Sequence, residues 1–324
     1  MKALVLKELK EPLTLEEVEL PNLKENEVLA SVKAAALNRR DVWIKYAQYP
    51  GIVVPTVLGS DGLVEVEGQE YIVNPNIHWG SNSRFAGPDY QILGLEHWGT
   101  FAEQIAIPRD RLHPKPPHLS VTQAAALPLA GLTAFRALFN LEKGAYHPGQ
   151  KVLITGIGGG VALIALQFAV AAGAQVYITS GNDEKISRAE SMGALCGVNY
   201  HESEWSRTLR DQAKGFDVII DSAGGPSFSK LAKLCNRGAR IVFYGATTGH
   251  WQNVDAPRLF LKQVTLAGST MGTDAEFEKM IAFVNKHGIV PCVSNTFPLS
   301  HGNEAFKILE GGKQFGKLVL LIDE

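Results

Sequence analysis

The stretch whose reading decides the fold is Lys151–Ser180, KVLITGIGGGVALIALQFAVAAGAQVYITS. Val152–Thr155 is a short apolar run of the kind a buried parallel strand needs. Gly156, Gly158, Gly159 and Gly160 follow, and then an apolar run from Val161 to Ala172, broken only by Gln167. Gly173 ends that run, and Gln175–Thr179 reads as a second strand. Strand, glycine turn, helix and strand within about 30 residues make a βαβ unit able to hold a dinucleotide. The glycines let the backbone turn sharply and approach a pyrophosphate, while the helix start aims unpaired N–H groups and the positive end of its dipole at the phosphates. The strict Gly-x-Gly-x-x-Gly spacing is not met. What is present is Gly156-x-x-Gly159-x-x-Ala162, with a small residue where helix and strand pack closely. The alternative is a glycine-rich loop in an ordinary α/β domain. The unbroken apolar run is shorter than the roughly 20 residues a bilayer needs.

Working outward, 324 residues are enough for two domains with substantial cores. A hydrophobic fraction of 45% with 20% charged residues is that of a soluble globular protein. A net charge of −2 leaves no footprint for nucleic acid or an anionic membrane. Cys196, Cys235 and Cys292 lie far apart without a C-x-x-C pair, which predicts a reduced, cytoplasmic chain. The start, MKALVLKELKEPLTLEE, carries acidic residues early, and its apolar run is too short for a signal peptide.

The first ~115 residues read as mostly β, with strands at 3–7, 13–19, 27–35, 57–68, 70–74 and 101–107. Asn38–Tyr49 reads as a loop with a turn of helix, and residues 75–98 as loop. Ser120–Gln123 is a capping box, and a second helix is expected over 132–141. From Lys151 to about Thr270, strands at 151–155, 175–179, 217–221, 239–244 and 264–268 alternate with helices at 160–172, 183–192, 203–213 and 227–235. That alternation predicts an open parallel sheet covered on both faces. The tail holds helices at 276–287 and 300–310 and β runs at 292–297 and 317–322. No helix follows the last strand, which is expected to return to the β-rich N-terminal part.

The glycine loop, the Pro-rich entry at 114–117, ALPLAGLTAF at 126–135 and QFGKLVL at 314–320 together resemble the medium-chain dehydrogenase/reductase family over essentially the full length. The resemblance is to its quinone oxidoreductase-like, alcohol dehydrogenase-like members. It implies an α/β fold: a Rossmann doubly wound parallel sheet, 131–270, plus a GroES-like β-rich domain from 1–130 and 271–324. It also implies a homodimer joined through the sheet edge at Val264–Ala267.

Family members that oxidise alcohols hold a catalytic zinc through Cys, His and Cys. The matching positions here are Asn38, Ser60 and Leu129, with Gly59-Ser60-Asp61 for the family's Gly-His-Glu. Zinc wants thiolate or imidazole with at most a carboxylate, so no metal is expected. The structural-zinc lobe of some relatives is matched by Asn74–Gly94, which contains no cysteine. His78, His97 and His113 show no paired ligand spacing.

The residue ending the second strand reads the adenosine ribose, and NAD sites place a carboxylate there. Here it is Ser180, followed by Gly181 and Asn182, with Lys185 and Arg188 just beyond. These donors suit a 2′-phosphate and favour NADP(H). Tyr200 matches a tyrosine packed near that phosphate in related quinone reductases. The competing reading is that Asp183 reaches the ribose and selects NAD.

The resemblance further places Gly156, Gly159, Gly160, Val161, Thr133, Ser222, Ala223, Tyr244, Gly245, Ala246, Thr247, Ser269 and Met271 at the cofactor, with Phe315 and Lys317 closing over it from the tail. Without a Lewis acid, hydride donation to an electrophilic quinone, enone or alkenal is the chemistry that remains. Asn38 is the expected catalytic donor to the substrate oxygen and also a cofactor contact. Tyr46 is the expected proton donor or pocket wall. Trp43 and Trp98 suit an aromatic wall, and Arg39, Arg40 and Asp41 a local ion pair. The partner is thus a small-molecule acceptor, with neither nucleic acid nor membrane. A cofactor-binding sensor with little catalysis is the second reading.

Overall fold

The computed structural model describes residues 1–322. The chain divides into two compact units, Met1–Leu132 with the tail from Gly272, and Thr133–Met271.

The first part of unit 1 is a string of short strands. They are β1 (Lys2–Leu6), β2 (Thr14–Glu17), β3 (Glu27–Ala36), β4 (Thr56–Val57), β5 (Asp61–Val66), β6 (Gln69–Val73), β7 (Asn76–Ile77), β8 (Gln91–Ile92), β9 (Gln104–Pro108) and β10 (Leu112–Pro114). Three helices interrupt or follow them: α1 (Arg39–Lys45), α2 (Val121–Ala125) and α3 (Pro128–Phe139), which runs on into unit 2. Asn38–Tyr49 is therefore not a loop with a single turn, because α1 takes seven of its residues. Likewise α3 starts at Pro128, ahead of the expected Leu132, since proline at the first helical position loses no hydrogen bond. The Ser120–Gln123 capping box forms in both directions at the start of α2.

Unit 2 is a six-stranded parallel sheet in the order β13-β12-β11-β14-β15-β16. Its strands are β11 (Lys151–Ile154), β12 (Gln175–Ser180), β13 (Cys196–Asn199), β14 (Phe216–Asp221), β15 (Cys235–Phe243) and β16 (Thr265–Gly268). Connections run through α4 (Gly160–Ala171), α5 (Asp183–Ser191), α6 (Trp205–Ala213), α7 (Phe228–Leu234) and α8 (Ala256–Leu261). This is the doubly wound order, which collects ligand-binding loops at the carboxyl ends of the strands. Two elements are additional to the expected alternation. Strand β13 carries no apolar run, and Gly197 lies in it because a methyl group there would strike Ile178 and Ile186. Helix α8 is opened by Asp255, whose side chain accepts from the Arg258 N–H. One core packs Leu153, Tyr177, Phe216, Ile219, Phe228, Leu231 and Ile241 together.

The tail completes unit 1 with α9 (Asp274–His287), β17 (Val293–Pro298), α10 (Gly302–Glu310) and β18 (Lys317–Leu321). The main sheet has the order β10-β6-β5-β3-β18-β17, with β9 also on β3. The last strand returns to the N-terminal β part as expected, with Val319 opposite Ala36 in antiparallel register. Ala36 also faces Asp61 across β5. Strands β5 and β18 both run against β3, so the starts of β5 and β18 lie beside the end of β3. That register gathers Asp61, Lys317 and Asn38 at one end of three adjacent strands.

Candidate active site

At that end of the sheet, Asp61 is fully buried and its carboxylate is the hub of a polar cluster. Asp61 Oδ2 accepts from Lys317 Nζ at 2.7 Å and from Asn38 Nδ2 at 2.9 Å. Lys317 Nζ also donates to Asn38 Oδ1 at 2.5 Å. Asp61 Oδ1 accepts from the backbone N–H of Leu129 at 2.7 Å. Leu129 lies in the first turn of α3, whose orphan N–H groups and dipole favour a carboxylate. The ammonium has donors only and the carboxylate acceptors only, so the Asn38 amide can face them in one orientation. Among the described residues its second N–H reaches only the Ala36 carbonyl, at a long 3.5 Å. A cation on the amide oxygen polarises the group and strengthens what that N–H can donate.

Asn38 precedes α1, and its own backbone N–H donates to Asp41 Oδ2 at 2.7 Å. The other carboxylate oxygen of Asp41 is buried without a hydrogen-bond partner among the described residues. Burial raises the Asp41 pKa to about 6, with the nearby Arg40 opposing. The Arg40 guanidinium donates to Ser60 Oγ at 2.8 Å and to the Leu93 and Ile92 carbonyls at 3.1 Å each. Among the described residues, Arg40 and Asp41 serve separate partners and make no contact ion pair.

Tyr46 ends α1, partly exposed, with the Lys45 ammonium over its ring at 5.1 Å. A helix rises about 1.5 Å per residue, so Asn38 and Tyr46 are held roughly 12 Å apart along α1. The two expected catalytic residues thus stand at opposite ends of α1. Trp98 packs half-buried against the unit 1 core.

In unit 2 the cofactor candidates collect at the carboxyl edge of the sheet. Gly156 and Gly158 take positive φ values of 67° and 116°. Gly159 caps α4, so Gly160 and Val161 form its first turn. A methyl group on Gly156 would lie 3.1 Å from Ser222 Oγ, and one on Gly158 would strike the Lys185 side chain. Glycine at both positions lets the loop lie against Ser222 and Lys185. Burial lowers the Lys185 pKa, helped by Arg188.

Burial raises the Tyr244 pKa, with the neighbouring Ser222 side chain opposing. The Ser222 carbonyl receives the Thr247 N–H at 3.2 Å and approaches Gly245, while the Ala223 carbonyl receives the Thr248 N–H at 2.9 Å. Thr133 Oγ1 reaches Met271 Sδ at 3.9 Å. Ser269 Oγ is buried without a hydrogen-bond partner among the described residues. Of the tail residues, Phe315 is buried in unit 1, and the Lys317 ammonium is taken up by Asp61 and Asn38.

Ser180 is buried, and its hydroxyl donates to the Ile157 carbonyl at 3.2 Å, tying β12 to the glycine loop. Asp183 Oδ1 accepts from Asn199 Nδ2 at 2.8 Å. The Tyr200 N–H donates to the Ser180 carbonyl at 2.9 Å, which fixes the chain leaving β13 beside the end of β12.

Residues 160–286 match the family model for zinc-binding dehydrogenases. The chain is 36% identical to the zinc-type alcohol dehydrogenase-like protein YogA of Leptosphaeria maculans, over 96% of this chain and 95% of that protein. A crystal structure of an NAD-dependent alcohol dehydrogenase superposes with a TM-score of 0.92 at 33% identity, covering 99% of this chain and all of that one. The quinone oxidoreductase from Thermus thermophilus, solved also with NADPH, superposes with a TM-score of 0.85 at 27% identity, covering 99% of this chain and 100% of that one. The chain belongs to the medium-chain dehydrogenase/reductase family. It is a zinc-type alcohol dehydrogenase-like member, and the family's chemistry is oxidation and reduction with a nicotinamide cofactor.

The side chains at the positions given to zinc in this medium-chain dehydrogenase/reductase do not suit that ion. Asn38 and Asp61 face an ammonium. The Ser60 hydroxyl is spent between the Leu93 carbonyl, at 2.8 Å, and the Arg40 guanidinium. Leu129 contributes a backbone N–H, which is a donor. Among the described residues, no three His, Cys, Asp or Glu side chains come together as a ligand set.

Sequence reasoning did not find Asp61 as the hub, Lys317 as its counter-charge, or His201 beside Tyr200. The signal for the first two is a charged residue opening a strand that then runs apolar, DGLV and KLVLL. A full-length charge has to find a partner there.

Proposed function

We propose that this chain is a zinc-independent, NADPH-dependent reductase that passes a hydride to a quinone, enone or alkenal. The observation that carries the reading is the Lys317–Asp61–Asn38 cluster: a buried ammonium and a polarised amide stand among the positions that a metal would need. Bound NADPH supplies a hydride from C4 of its nicotinamide. In an enone the β-carbon accepts it and negative charge gathers on the oxygen. Asn38 meets that charge with its second amide N–H, backed by Lys317 on the amide oxygen. Solvent supplies the proton. Tyr46, at the far end of α1, lines the acceptor's path rather than sharing its oxygen.

The cofactor reading rests on unit 2. Gly156, Gly159, Gly160 and Val161 present backbone N–H groups to the pyrophosphate. Thr133, Ser222, Ala223, Tyr244, Gly245, Ala246, Thr247, Ser269 and Met271 border the rest of the dinucleotide. Asp183, the residue that would select NAD, is engaged by Asn199, while Lys185 lies over the loop and Tyr200 stands at the end of β12. These features favour a 2′-phosphate. Strand β16 leaves one edge open, and Phe260 and Leu261 on α8 are each 66% exposed. That apolar margin supports a homodimer, testable by sedimentation.

The deciding experiment is NADPH oxidation with a panel of quinones and enones, with and without a zinc chelator. The expected result is turnover that the chelator does not change, with NADPH preferred over NADH. Absence of turnover across the panel, or activity that needs stoichiometric zinc, would overturn the proposal.

A further inference from the structure

The chain beyond β13 carries a second ring that the reaction does not explain. After Asn199, Tyr200 and His201 both turn toward Gly181, the residue that follows β12. A methyl group at Gly181 would come within 2.7 Å of Tyr200 Oη and also within 2.7 Å of His201 Nε2. The two rings hold each other edge to face with centroids 4.8 Å apart. Both side chains are exposed, so neither polar tip is there to serve the core.

The backbone beneath them is tied down on both sides. Tyr200 N–H donates to the Ser180 carbonyl, His201 N–H to Asn199 Oδ1 at 3.1 Å, and Glu202 N–H to the Asn199 carbonyl at 3.1 Å. Asn199 uses its amide nitrogen on Asp183. One side chain thus positions the histidine and at the same time engages the carboxylate that would repel a phosphate.

We propose that His201 is a specificity-determining residue, which with Tyr200 reads a phosphomonoester on the 2′ position of the adenosine ribose. This rests on the NADP(H) reading above. In a doubly wound sheet the adenosine ribose lies at the end of the second strand, here Ser180–Gly181. Two polar tips converge on that point, and glycine, having no side chain, lets both come close to the chain there. Phosphate oxygens accept strong charge-assisted hydrogen bonds from donors of this kind. The ribose of NAD offers no such acceptor, so the contribution of His201 is confined to the phosphorylated cofactor.

The test is calorimetry on the full chain with two probes that need no turnover, adenosine 2′,5′-bisphosphate and adenosine 5′-monophosphate. The wild type is expected to prefer the bisphosphate. His201→Ala should weaken the bisphosphate about 10-fold or more and leave the monophosphate unchanged, as for loss of a hydrogen bond to a charged group. His201→Gln, which keeps an N–H donor on a more flexible side chain, should fall between. Tyr200→Phe should weaken the bisphosphate less than His201→Ala does. An equal loss for both probes in His201→Ala would make the residue merely structural and overturn the proposal. An unchanged preference in that variant would overturn it while leaving the NADP(H) reading intact. A wild type with no preference would refute that reading itself, and this inference with it.

Discussion

In the Lys317–Asp61–Asn38 cluster of unit 1, each polar group finds its partners within the same unit, out of water. At the Gly181 end of unit 2, Tyr200 and His201 are exposed side chains whose polar tips meet at Gly181, with Tyr200 44% exposed. The difference follows from what an unmet charge costs in each place. A charged carboxylate with no exposure is costly unless it is paired and hydrogen-bonded, and at Asp61 three strand ends and a helix start converge to do that. An exposed pair costs little to leave waiting for a ligand, because water serves both tips until the ligand arrives. Breaking the first region should therefore show in stability, and breaking the second in ligand preference.

The largest expected effect is in the buried cluster. Lys317→Met leaves Asp61 buried beside Asn38 with no counter-charge. Loss of one partner of a buried pair costs about 3–5 kcal/mol, measurable by denaturant unfolding. Adding Asp61→Asn to that variant should recover most of the loss, because the uncompensated charge is then gone. A single variant as stable as the wild type would mean that the ammonium does not hold this corner together.

A smaller effect sharpens the same contrast through pH. Burial raises Asp41 from an ordinary 3.8 to about 6. Below about 4 both folded and unfolded chains hold the proton. From there to about 6 the folded chain keeps a proton that the unfolded chain has released, so stability falls as pH rises. Above about 6 the whole penalty is present. Asp41→Asn should accordingly gain on the wild type between those limits and keep a lead of about 1–3 kcal/mol at higher pH. Parallel unfolding curves with a constant difference from pH 4 to pH 8 would contradict this.

The two regions also differ in how far the sequence discloses them. The glycine loop and the strand–helix alternation were legible because buried parallel strands appear as apolar runs closed by glycine. Strand β13 was not, since Cys196, Gly197 and Asn199 carry no such run. It exists because β12 offers an edge and Gly197 leaves room for Ile178 and Ile186. Helix α1 was legible only as a turn, because Arg40, Asp41 and Lys45 look like an exposed face. They are buried, each with its own partner, although Arg40 Nε and one oxygen of Asp41 have none among the described residues. The pairing of Lys317 with Asp61 bridges 256 positions. Nothing local to either residue announces it, because the register of β5, β3 and β18 decides it.

The smallest expected effect is the most discriminating between cofactors. Asp183 lies in the first turn of α5, with the Asn199 amide on its carboxylate. If that carboxylate serves only the helix dipole and Asn199, Asp183→Asn should cost about 0.5 kcal/mol and leave NADH affinity within about twofold. NADPH affinity should hold or rise slightly, since a negative charge near the 2′-phosphate is removed. A tenfold loss of NADH binding in this variant would place the carboxylate on the ribose hydroxyls. Asn199 would then be its orienting partner, and the end of β12 would belong to NAD. The same two residues thus support opposite cofactors according to which group the Asp183 oxygens meet when the site is filled, and fluorescence titration of the variant with both nucleotides separates the cases.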